Sequence, residues 1–66
     1  YERPRARWGV SCDDGRDQVR WAGFRRVVPL DCGGRRLTYE ARRHGGTFIV
    51  QVSRRSGDIV SVREMY

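Results

Sequence analysis

Sixty-six residues, 38% of them apolar and together carrying a formal charge of +6, make a single thin-cored domain with no room for a second. The longest apolar runs, Phe48 to Val50 and Ile59 to Val60, are far too short to span a bilayer, which excludes a transmembrane segment within this stretch. All 14 basic residues are arginine, a surface that draws anions and is also the composition a G- and C-biased coding sequence yields.

Residues 1–9 carry Pro4, three arginines and no periodicity, and read as an exposed lead-in to a single domain over residues 10–66. Trp8 within it is a candidate aromatic contact or a cover for one end of the core. The chain begins at Tyr1 rather than methionine, which is compatible with a removed secretion signal.

Ser11 predicts an N-cap, and Asp13 and Asp14 sit in the first turn, where the helix dipole favours negative charge. From Cys12 to Ala22, helical spacing places Cys12, Gly15, Val19 and Ala22 on one small-residue face suited to lie close on a sheet. Gly15 weakens such a helix by about 1 kcal/mol relative to alanine. Gly23 is placed to end it in a left-handed conformation. Trp21 lies off the buried stripe and, with Trp8, is the candidate aromatic contact, although packing at the core edge is the commoner fate of such a residue.

Phe24 to Cys32 reads as a strand, and Pro29 within it points to an edge or a bulge. A helix from Cys12 to Ala22 rises roughly 15 Å and a strand from Val27 to Cys32 returns roughly 17 Å, which brings Cys32 back to Cys12. A disulfide between them closes a loop worth about 3 kcal/mol and signals an oxidising compartment, the alternative being two free thiols of a cytosolic protein. One histidine, His44, and no paired-cysteine knuckle leave no metal site.

After the Gly33-Gly34 turn, residues 36–43 and 47–53 alternate as strands. A two-residue turn at Gly45-Gly46 puts Leu37, Tyr39 and Ala41 on one face with Phe48, Val50 and Val52, pairing Tyr39 with Val52 and Ala41 with Val50. A three-residue loop, Arg55-Ser56-Gly57, then brings Val60 and Val62 onto the same face. The expected fold is α+β: one N-terminal helix packed on a three- to four-stranded antiparallel sheet, with one disulfide.

In that register the outer face gathers Arg36 opposite Arg55, Arg42 opposite Ile49, and Arg63 one strand beyond Ile49. Facing like charges cost stability unless an anion lies between them, so Arg36, Arg42, Arg55 and Arg63 are the candidate anion- or partner-binding residues. His44 beside a glycine turn is a solvated turn residue, and no nucleophile is paired with a base; the expectation is a protein that is not an enzyme and uses no cofactor.

The segments SC at the helix start, GFRRV, LTYEA, TFIVQVS and SRRSGDIVSVR resemble the PepSY-like domains of bacterial secreted and membrane-anchored proteins, over about residues 10–63. The resemblance implies one helix against an antiparallel sheet, a periplasmic or secreted location, and a binding or inhibitory role. The expectation is therefore a monomeric or weakly dimeric binding module whose partner is a protein or an anionic polymer of the cell envelope, with nucleic acid as the second-ranked partner through the arginine face.

Overall fold

A computed structural model describes residues 10–65; the lead-in over residues 1–9, and Trp8 with it, lies outside the described residues. Helix α1 (Cys12–Trp21) is followed by strands β1 (Arg25–Asp31), β2 (Arg36–Arg43), β3 (Gly46–Ser53) and β4 (Ile59–Glu64). The strands form one antiparallel sheet in the order β1-β2-β3-β4, and the helix packs over β1, β2 and β3. This is the expected α+β fold with the upper of the two strand counts.

The helix begins as its sequence dictates, with the Ser11 hydroxyl accepting from the Asp14 N–H at 3.2 Å and Asp13 and Asp14 in the first turn. It ends at Gly23, whose φ of 98° is the left-handed conformation glycine adopts without penalty. Ala22 departs from expectation: as the C-cap residue it is exposed, and Phe24, just past the helix, supplies that end of the core instead.

Val19, Leu37, Tyr39, Ala41, Val50 and Val52 are fully buried, and Phe24 meets Phe48 edge-on with ring centroids 5.7 Å apart. Burying each large apolar side chain contributes roughly 1.5–3 kcal/mol, the main stabilising term in so small a domain. Val10, Cys12, Val27, Cys32 and Ile59 pack around this centre.

The β2–β3 register differs from the expected one by two residues. Tyr39 pairs with Val50 and Ala41 with Phe48, and the turn is His44-Gly45, with φ of 51° and 78°. Positive φ at both central positions is the hairpin geometry that follows the twist of the strands, and histidine enters that region more readily than most residues. A turn at Gly45-Gly46 keeps the same faces inward but sets Leu37 against Arg54 and Phe48 against Arg43. The observed register instead matches Leu37 with Val52, so that all three inward residues of β2 face apolar partners.

β4 departs in a smaller way. Ser61 to Glu64 hold the expected register against Gln51 to Phe48, and Gly57 has the expected positive φ of 80°. A bulge then pairs Ile59, not Val60, with Val52. Val60 and Val62 are about half exposed, so they do not complete the core; the helix covers the other three strands. At the opposite edge β1 carries two irregularities and Pro29, as its sequence leads one to expect of an edge strand.

Gly15 is required by close approach. A Cβ there runs into the Tyr39 hydroxyl and comes within 2.8 Å of Leu37 Cδ1. Replacing Gly15 with alanine therefore lowers stability by roughly 1–3 kcal/mol in urea unfolding through overpacking, although alanine is the better helix former. An unchanged or raised midpoint contradicts this contact.

Candidate anion-contact surface and its anchor

Cys12 and Cys32 are joined by a disulfide, with Cα atoms 5.6 Å apart. Both carbonyls at the bridge are also held. The Tyr39 hydroxyl on β2 donates to the Cys12 carbonyl at 2.5 Å, and the Arg54 guanidinium donates to the Cys32 carbonyl. Arg54 is tied by its backbone as well: its N–H donates to Arg35 O at 3.0 Å, and its carbonyl accepts from Val10 N–H at 2.7 Å. The bridge, the helix start and the β3–β4 turn thus form one end of the molecule.

Burial pushes the Tyr39 phenol above its ordinary value of 10.0, assisted by the Asp13 charge and opposed by the Arg16 and Arg54 charges and by the Arg16 backbone N–H. These contacts fix the helix start and the β3–β4 turn against the bridge.

The paired arginines sort to the two ends of the sheet. Arg35-Arg36 and Arg54-Arg55 lie at the disulfide end, where Asp31 and Asp58 are also found. Arg25-Arg26 and Arg42-Arg43 lie at the other end, beside the His44-Gly45 turn. The expected outer-face pairs change accordingly. Arg36 faces Ser53 rather than Arg55, and its Nη1 donates to Gln51 Oε1 at 3.4 Å. Arg55 belongs to the turn after β3, not to the sheet face, and Arg42 faces Thr47 on one side and Arg25 on the other rather than Ile49. Arg63 does lie across from Ile49, and Glu40 lies on the far side of Ile49.

The four proposed arginines therefore do not form one patch. Arg36 and Arg42 stand at opposite ends of β2, and Arg55 leaves the face altogether. What the sheet does bring together is Arg25 with Arg42, a pair hidden from any reading that lacks the β1 register. Arg43 sits on the helix side with its guanidinium carbon 5.2 Å from the centroid of the Phe24 ring, a cation–π contact that fixes its stem. Among the described residues the one ion pair is Arg16 with Asp13 at 3.9 Å, so none of these arginines is neutralised by a carboxylate within 4.0 Å.

The helix-free face carries Arg36, Thr38, Glu40, Arg42, Thr47, Ile49, Gln51, Ser61 and Arg63, and no aromatic side chain among the described residues. Trp21 is 83% exposed on the helix, beside Asp17 and Arg20 and away from that face, so it neither packs at the core edge nor joins the arginines. No group of three or more His, Cys, Asp or Glu side chains suited to a metal ion occurs among the described residues. In comparisons with known proteins, the chain matches no family model, no curated protein and no solved structure.

Tyr39 gives a titration signature. Its folded value lies above the unfolded value of 10.0, so the unfolded chain releases this proton first; the stability due to the buried phenol is complete below pH 10.0 and declines as pH rises through the folded value. Ultraviolet titration is expected to show one of the three tyrosines ionising late, and Tyr39→Phe to remove that step and about 1 kcal/mol of stability. Three tyrosines ionising together at the ordinary value contradict the buried hydrogen bond.

Proposed function

We propose that this chain is a PepSY-like, non-catalytic binding module of the periplasm or extracellular space that acts by surface contact with a protein or an anionic component of the cell envelope. The observation that carries this reading is the set of exposed arginines at the turn end of the sheet, none with a carboxylate within 4.0 Å among the described residues. The disulfide supports the compartment, because such bridges persist in oxidising surroundings. The segments GFRRV, LTYEA and SRRSGDIVSVR, together with the helix-on-sheet architecture, support the family likeness.

A sheet face without aromatic side chains favours an acidic protein or polysaccharide over single-stranded nucleic acid. Base stacking contributes about 1–3 kcal/mol per base in strand-binding folds, and among the described residues this face offers no ring to stack on.

Binding to poly-L-glutamate, measured by isothermal titration calorimetry, is expected to weaken steeply between about 50 and 200 mM salt. The same affinity for poly-L-lysine, or an affinity for poly-L-glutamate that ignores salt, refutes the reading. A single-stranded oligonucleotide bound more tightly than poly-L-glutamate at equal ionic strength shifts it to nucleic acid.

A further inference from the structure

Two features at the turn end of the sheet cost stability. Arg25 and Arg42 are direct cross-strand partners, and like charges in that position repel. Arg26, next to them, holds a φ of 51°, a left-handed conformation that glycine or asparagine adopts at less cost.

The two are connected. Between the pairs Arg25 with Arg42 and Val28 with Glu40, β1 spends three steps where β2 spends two, so one residue is extra and Arg26 lies in the bulge. On a regular strand in register with Val28, Arg26 itself faces Arg42 and Arg25 falls on the opposite side of the sheet. The bulge instead brings Arg25 to face Arg42, leaves Arg26 adjoining the pair, and still lets Val27 pack against the core. Arg43 completes the group from the helix side, held over Phe24. The nearest acidic groups along the strands are Glu40, one position in from Arg42 on the same face, and Glu64, which pairs with Phe48. Four arginines against these two leave a net positive end.

We propose that Arg25 and Arg42, with Arg26 adjoining, form a binding site for a tetrahedral oxyanion, a phosphate or sulfate ester carried by the partner. The proposal rests on the anionic-partner reading and names its site and chemistry. Opposed residues of an antiparallel pair have Cα atoms roughly 4.5–5.5 Å apart, so two guanidiniums converge on one ligand from two sides. A tetrahedral oxyanion presents its terminal oxygens in several directions, so both forks engage it at once, whereas a carboxylate presents two oxygens in one plane.

The test is an NMR titration of the folded, oxidised protein with inorganic phosphate at constant ionic strength, alongside sodium acetate. Saturable shifts are expected at the Arg25, Arg26 and Arg42 amides with phosphate, and affinity about tenfold weaker in the Arg25→Ala/Arg42→Ala variant. Arg26→Gly is expected to raise the thermal midpoint while weakening phosphate binding; a raised midpoint with unchanged affinity removes Arg26 from the site. Acetate binding as tightly as phosphate overturns the oxyanion class. Saturable shifts confined to Arg35, Arg36 and Arg55 overturn the site but leave the anionic reading standing, and the absence of any saturable binding, joined to no affinity for poly-L-glutamate, removes both. A sulfate titration run in parallel separates sulfate-ester from phosphate-ester partners by which anion binds more tightly.

Discussion

The covalent tie between Cys12 and Cys32 is the constraint on which the rest of this structure depends. A helix of ten residues is marginal in water on its own, and α1 has an interior glycine besides. It is held because its first residue is bonded to the residue after β1, while its first carbonyl accepts from Tyr39 and the Cys32 carbonyl accepts from Arg54. Four segments, the helix start, the end of β1, β2 and the β3–β4 turn, are thereby fixed at one point. Gly15 follows from that arrangement: with the Tyr39 hydroxyl reaching under the first turn to Cys12, no side chain fits at the next contact along the helix.

Anchoring at one end shapes the other. The helix runs back across β1, β2 and β3, leaving β4 half open and the other sheet face without a helix among the described residues. The disulfide end mixes arginines with Asp31 and Asp58, and there Arg54 is consumed structurally by the Cys32 carbonyl. At the turn end Glu40 and Glu64 are outnumbered by four arginines, none of which forms an ion pair within 4.0 Å among the described residues, and Arg43 is used to cover an aromatic ring. The covalent anchor and the arginine cluster of the turn end therefore lie at opposite poles of the domain.

Much of this was legible because local signals agreed with the global fold. Ser11, the acidic first turn, Gly23, Pro29 and Gly57 each mark a boundary or irregularity found where they stand, and the return length of helix and strand located the disulfide. The β2–β3 slip shows where such reasoning ends. Side-chain parity separates odd shifts from even ones, but a two-residue shift keeps every side chain on its face, and two adjacent glycines outweighed the His44-Gly45 pair as a turn signal. Pairing Leu37 with an apolar partner was the available tie-breaker. That slip displaced Arg36 and Arg42 from their expected partners, and the β1 bulge that sets Arg25 against Arg42 leaves no mark in the alternation of RRVV. Arg54 was likewise invisible as an anchor, because its role arises from where the turn delivers its backbone. Trp21 misled through its size: it lies on the solvent side of a helix whose buried side is filled by Gly15 and Val19.

The disulfide carries a large share of the stability of the whole domain, and the charged surface depends on it. Urea unfolding of the oxidised protein against the reduced, alkylated protein measures that share directly. The account predicts a loss of about 3 kcal/mol on opening a bridge that spans a sequence separation of 20. A reduced protein that unfolds at the same midpoint as the oxidised one contradicts it.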